Sequence, residues 1–217
     1  MEYSVWELEK RAYIDYFDEK EKELAEFCKV KHDFQQQILY MLVLLERKEY
    51  TQLEDFLKEI LPAEGRLGNN IVNTGNIIVD ALVNYKYNFA KAYGINFNAK
   101  INIPTEIPIE DRDLALILGN ALDNAIEANN RGNVKNKYIQ LKMRYDRGNL
   151  FIIIENSFDG CLVKNKKNEV MTRKEDKGKH GFGIATIKEI LLKYKGYMNV
   201  NIHKMNYKLG IVLYCQE

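Results

Sequence analysis

Three short stretches of this sequence hold side chains suited to chemistry: His32 beside Asp33, the pair Asn120 and Asn124, and the run Gly178-Lys179-His180-Gly181-Phe182-Gly183-Ile184. Imidazole titrates near neutral pH and is a nucleophile when a ring nitrogen is free. On a helical wheel with Phe34 at zero, Phe27, Val30, Ile38, Met41 and Leu45 fall within roughly 40° of it. They form the stripe that the helix buries. His32 falls about 160° away, on the opposite face. The residues alone leave three readings open. It is a solvated surface histidine, a metal ligand together with Cys28 one turn earlier, or a phosphoacceptor whose other nitrogen is bonded by Asp33.

Asn120, Asn124 and Glu127 line one edge of a helix whose buried face is Leu114, Ile117, Leu118, Ala121 and Ala125. Spacings of three and four residues share a helix face. Asparagine is a poor helix former, so two on one stripe work against local propensity. Their amide oxygens suit Mg²⁺, a hard cation that takes oxygen ligands alongside substrate phosphates. The plainer reading is an exposed polar edge. The glycine run stands directly before a helix, where backbone N–H groups can approach an anion closely. Its order is neither the dinucleotide fingerprint nor a P-loop. Lys164, Lys166, Lys167, Arg173, Lys174, Lys177 and Lys179 lead through it, against Glu169, Glu175 and Asp176. A charge run is usually just solvated; before a candidate phosphate cradle, mobile cations over a polyphosphate would also make physical sense.

The elements that must position these residues can be read from periodicity. A long helix is expected over 5–60, a stretch free of glycine and proline. A turn follows at Pro62-Ala63-Glu64-Gly65, then a second helix over 69–93 ending at Gly94. Together they make an antiparallel hairpin, which buries its apolar face in a four-helix bundle built from two chains. Residues 95–103 alternate apolar with polar, as a half-buried strand does. A helix is expected over 111–130, then strands over 138–145 and 150–155 joined by a turn at 146–149. A polar loop over 157–179, a helix over 183–194 and a hairpin of 198–203 with 208–214 complete the reading. The fold class is therefore α+β: a dimerising helical hairpin over 1–94, then an antiparallel-rich sheet with helices on one face over 95–217.

Composition narrows the function classes. Lys and Arg total 32 against 31 for Asp and Glu, a net charge of +1, which argues against direct nucleic-acid binding by bulk charge. Three widely spaced cysteines (Cys28, Cys161, Cys215) do not form a disulfide framework, and a reducing cytoplasm is expected. The longest nearly unbroken apolar run, from Ile38 to Leu45, is far short of the roughly 20 residues of a membrane span. Contact with a membrane is expected only through a receptor domain preceding this portion.

The order of the motifs carries a resemblance. Asn120-Ala121-Leu122-Asp123-Asn124-Ala125-Ile126-Glu127-Ala128 resembles the N-box of the GHKL ATPase superfamily, which includes gyrase and the histidine kinases. His180-Gly181-Phe182-Gly183-Ile184 resembles its second glycine box, and the long loop between them its ATP lid. Lys31-His32-Asp33-Phe34 resembles the H-box of histidine kinases of the AgrC peptide-pheromone receptor type. The stretch from Thr74 to Lys86 resembles the second helix of that branch.

The resemblance implies an α/β sandwich of the GHKL (Bergerat) type behind the hairpin, with Mg²⁺·ATP between the N-box helix and the lid. His32 would receive the γ-phosphoryl group and pass it to an aspartate of a response regulator, the chain acting as a homodimer in peptide quorum sensing. Carried over by position, Asn124 would hold Mg²⁺ and Asn120 would assist. Gly181 and Gly183 would let the backbone wrap the phosphates, with Lys177, Lys179, His180 and Phe182 around the nucleotide. The usual first glycine box is replaced by Glu155-Asn156-Ser157-Phe158-Asp159-Gly160, where Asn156 would take the adenine-contacting role. Gln36 stands where the H-box usually has asparagine. Gyrase-like relatives carry a water-activating Glu where this sequence has Asn120, so attack by histidine is favoured over hydrolysis. The alternative is a catalytically silent nucleotide-binding scaffold or sensor.

Overall fold

Helix α1 (Val5–Glu46) stops where no glycine or proline marks a stop. The chain turns through Lys48, whose φ of 59° is left-handed, and Glu49 N donates to the Leu44 carbonyl at 2.9 Å. Helix α2 (Tyr50–Ile60) then runs back along α1. Its Phe56 meets Tyr40 edge-on with ring centroids 4.8 Å apart, and Leu44 is buried under it. A left-handed lysine is unfavourable, and the tertiary contact offsets it. The single helix expected over 5–60 is thus a hairpin in its own right. The structure is a computed structural model that describes residues 5–66, 70–131, 134–160, 163–164, 170–171 and 182–215.

Contacts divide the chain into two compact units, Met1–Leu61 and Pro62–Glu217. That division differs from the expected boundary at residue 94, and the cause lies in the next helices. Following the one-turn helix α3 (Ala63–Arg66), helix α4 (Ile77–Ala92) starts later than the sequence suggests, capped by the Asn76 side chain on Val79 N. It buries Val79, Val83 and Ala90 in the same core as the sheet. Its apolar stripe therefore serves the second unit.

In that unit, β1 (Asn96–Asn102), β2 (Tyr138–Asp146), β3 (Asn149–Ser157), β7 (Asn206–Tyr214) and β6 (Tyr197–His203) form a five-stranded sheet in the order β1-β2-β3-β7-β6. The β1–β2 pair is parallel, bridged by helix α5 (Asp111–Asn130), and the other pairs are antiparallel. Along β2 and β3, core residues Ile139, Leu141, Met143, Leu150, Ile152 and Ile154 alternate with exposed or half-buried ones. Period-two alternation of this kind means one covered face. Leu114, Ile117, Leu118, Leu122 and Ile126 of α5 share that core with Ile187, Ile190 and Leu191 of α6 (Phe182–Lys193). The β2–β3 turn places Arg147 and Gly148 at positive φ, as a tight hairpin requires. Within the expected loop over 157–179, the short strands β4 (Val163–Lys164) and β5 (Val170–Met171) pair with each other. A helix-rich first region followed by a mixed α/β sheet domain agrees with the fold class expected from the sequence.

Candidate functional site

His32 lies on α1 with its side chain 69% exposed, and Nδ1 is 3.4 Å from Asp33 Oδ1. That spacing is at the outer range of a hydrogen bond and leaves Nε2 open to solvent. Gln36, one turn on, is also exposed. The stripe on the opposite side, Phe27, Val30, Phe34, Ile38 and Leu45, is exposed in the single chain. It is the face expected to be buried in a dimer. Among the described residues no three or more His, Cys, Asp or Glu side chains cluster as a metal site would need, at Cys28 and His32 or elsewhere.

The second site is built on α5. Asn120 and Asn124 are half-buried at its edge, on the spacing that the sequence showed. Asn120 Nδ2 donates to the Leu116 carbonyl at 2.7 Å, which fixes where its Oδ1 is presented. Gly183, at the start of α6, packs against that amide so closely that a Cβ there would stand 2.9 Å from Oδ1. The glycine is needed for this approach. Asn124 carries a buried Nδ2 with no protein partner. A buried polar atom without a partner is rare, and at a site meant for a polar ligand it has a ready explanation. The two amide oxygens are of the kind a hard cation takes, and the Asn124 Nδ2 is a donor of the kind a phosphate oxygen accepts from. Of the expected second glycine box, Gly183 is placed against Asn120. Lys177, Lys179, His180 and Gly181 lie outside the described residues, as does the side chain of Phe182.

Asn156 ends the core-facing row of β3 after Leu150, Ile152 and Ile154, and is only 2% exposed. Its Nδ2 donates to the Ser157 carbonyl at 2.9 Å. The next residue joins a wholly internal network. Ser157 Oγ donates to Asn129 Oδ1 at 2.6 Å and accepts from Tyr138 N at 3.0 Å. Asn129 Nδ2 donates to the Ala125 and Tyr138 carbonyls. This network locks the C-terminal end of α5 onto β2 and β3, below Asn156.

Two further braces on α5 are not legible in motif spacing. Asp113, buried in the first turn, accepts from Lys193 Nζ at 2.7 Å and from Tyr194 Oη at 2.8 Å. The Lys193 ammonium holds the Asp113 carboxyl below its ordinary range against the opposing effect of burial, with Tyr194 assisting. Asp113, with Glu110 beside it, raises the Lys193 pKa in turn. Burial raises the Tyr194 phenol, and its bond to Asp113 adds to the shift. Midway along α5, Asp123 Oδ1 accepts from Lys86 Nζ of α4 at 2.5 Å. Lys86 falls in the stretch that resembles known kinases, but only the fold reveals its partner.

Residues 109–214 match the GHKL domain family. The sensor histidine kinase DpiB of Escherichia coli (strain K12) is 31% identical over 98 residues, covering 42% of this chain and 17% of that protein. The chain thus spans about a sixth of that relative's length. Among solved structures, the catalytic domain of histidine kinase ThkA superposes with a TM-score of 0.53 at 14% identity, over 66% of this chain and 96% of that one. A histidine kinase from Burkholderia phymatum STM815 superposes with a TM-score of 0.51 at 13% identity, over 77% and 81% of the two chains. At such identities the likeness is one of fold. The fold of the second unit is like that of histidine kinase catalytic domains. No helix among the described residues is long and apolar enough to cross a membrane.

Proposed function

We propose that this chain is the signalling core of a sensor histidine kinase. It binds Mg²⁺·ATP at Asn120, Asn124 and Gly183 and transfers the γ-phosphoryl group to His32. The observation that carries this reading is the edge of α5, where Asn124 has a buried amide nitrogen, a donor suited to a phosphate oxygen, without a protein partner and Gly183 is packed on Asn120. Asn124, assisted by Asn120, would hold Mg²⁺, which when bound neutralises charge on the β- and γ-phosphates. Asn156 would contact the adenine. The second glycine box, through Gly181, Gly183, His180 and Phe182, together with Lys177 and Lys179, would close on the phosphates.

In the reaction Nε2 of neutral His32 attacks the γ-phosphorus, the bond to the bridging oxygen of ADP breaks, and Nδ1 keeps its proton toward Asp33. Phosphohistidine then donates to an aspartate carboxylate of a response regulator. Asn120 cannot act as a base for water, so hydrolysis lacks its usual activator. The exposed apolar stripe of α1 supports a homodimer, in which two hairpins bury these faces against each other. The Lys31-His32-Asp33-Phe34 sequence supports the peptide-pheromone receptor branch, and with it quorum sensing, as the biological setting. A receptor domain before this portion would supply the membrane link and place this core in the cytoplasm.

The test is incubation with γ-labelled ATP and Mg²⁺. Label that is stable in base and lost in acid supports the reading. Bound ATP with no transferred label would favour a nucleotide-binding scaffold, the reading that Gln36 and the altered first glycine box motivate.

A further inference from the structure

Asn120 and Asn124 differ in what aims them. The Asn120 amide is pinned by its own helix through the Leu116 carbonyl at 2.7 Å. The Asn124 Nδ2 is buried without such a partner. No bond to its own helix fixes it, so its setting depends on what holds its own turn of α5. The residue directly before it, Asp123, is the one gripped from outside the helix. Lys86 Nζ reaches its Oδ1 at 2.5 Å, with the Lys86 side chain only 16% exposed and the ammonium 5.7 Å from the Tyr85 ring centroid.

The helix that carries Lys86 is itself firmly held. The Asp80 carboxylate accepts from Thr74 N, Thr74 Oγ1 and Gly75 N, all within 3.0 Å. Asn84 Oδ1 accepts from Ile71 N and Val72 N, and its Nδ2 donates to the Val72 carbonyl. Asn76 Nδ2 donates to the Thr105 carbonyl at 2.9 Å. α4 is thus a fixed post, and Lys86 is the strut that runs from it to the N-box.

We propose that Lys86 is a positioning residue for Asn124: through Asp123 it holds the turn of α5 from which the Asn124 amide would meet Mg²⁺·ATP. The inference rests on the reading of α5 as the nucleotide helix. A half-buried lysine and a half-exposed aspartate would be an ordinary tie between helices if position did not matter. Here the tie falls next to the one asparagine of the pair whose amide its own helix does not pin.

The experiment is the Mg²⁺ dependence of binding of a non-hydrolysable ATP analogue, measured by calorimetry on the full chain. Lys86→Met should raise the Mg²⁺ concentration for half-maximal binding about tenfold, as loss of an outer-shell support does. Asp123→Asn should do the same, the double variant should be no worse than either single, and Lys86→Arg should restore the wild-type requirement. In the ligand-free protein, the side-chain amide resonances of Asn124 should move in Lys86→Met while those of Asn120 stay in place. An unchanged Mg²⁺ requirement in both single variants would overturn the inference. If Lys86→Met does not fold, Asp123→Asn carries the test, since its carboxylate is 50% exposed and tolerates the change. A wild type without Mg²⁺-dependent binding removes the functional reading and this inference together, whereas a normal wild type with unshifted variants removes the inference alone.

Discussion

The helix around His32 and the helix around Asn124 are built on opposite principles. On α1 the reactive side chain stands in solvent, with Asp33 as its near neighbour and an apolar stripe left bare on the far side. On α5 every stretch is braced: Asp113 by Lys193 and Tyr194, Asp123 by Lys86, and Asn129 by Ser157 and the Tyr138 carbonyl. On the proposed reading, a nucleophile that visits two partners, a nucleotide and a receiver aspartate, benefits from openness. A site that must hold charged phosphates in one geometry benefits from preorganisation, because fixed dipoles need no rearrangement at the moment of reaction. The difference teaches that each region is to be perturbed in a different way.

The largest effect is expected where the open side chain is removed. His32→Ala should abolish phosphoryl transfer with little change in melting temperature, because the side chain stands mostly in solvent. Next comes the braced side. Asn124→Ala should weaken Mg²⁺-dependent nucleotide binding on the order of a hundredfold. It should leave the fold intact, since its Nδ2 has no protein partner to lose. Calorimetry with and without Mg²⁺ checks this, and equal losses in both conditions would break the assignment.

Gly183→Ala is a subtler wedge. The new methyl would stand 2.9 Å from Asn120 Oδ1 and push an amide that is tied to Leu116. A loss of about tenfold in nucleotide affinity is expected from such overpacking. A variant binding ATP as the wild type does would show that the approach of α6 to the N-box has no role. The smallest functional effect belongs to Asp113→Asn, which should leave nucleotide binding at neutral pH nearly unchanged while destabilising the fold by about 1–3 kcal/mol. The sign with pH follows from the depressed Asp113 pKa. Its ordinary value is 3.8, and the folded value lies below that. The stabilisation is therefore fully present above the ordinary carboxylate range and is lost as pH falls through the folded value. Thermal melts of wild type and Asp113→Asn should converge in strong acid, and a gap constant with pH would contradict the account.

Much of the second unit was legible because local and global signals agree there. Helix α5 runs over 111–130 as its periodicity indicates, and β2, β3, β6 and β7 extend only slightly beyond the alternating runs. That Asn120 and Asn124 share one edge of α5 was also visible, since two asparagines on one stripe oppose helix propensity and so ask for a reason. Other features were not legible for physical reasons. The break at Lys48 uses a left-handed lysine, a conformation stabilised by the Tyr40–Phe56 contact and not by any turn residue. The allegiance of α4 was hidden because an apolar stripe shows that a helix is buried, not against what; Val79 and Val83 would suit a bundle as well as the sheet core they join. The ties Lys86–Asp123 and Asp113–Lys193 join residues far apart in sequence, and no spacing rule marks them.

The central claim is that the nucleophile and the nucleotide site are separate parts of one phosphotransfer. Its most direct test is a paired measurement on His32→Ala: the binding isotherm for Mg²⁺·ATP and the acid-labile label after incubation with γ-labelled ATP. The account predicts a wild-type isotherm and no label. Acid-labile label persisting on a variant that binds ATP normally would place the acceptor elsewhere and contradict it.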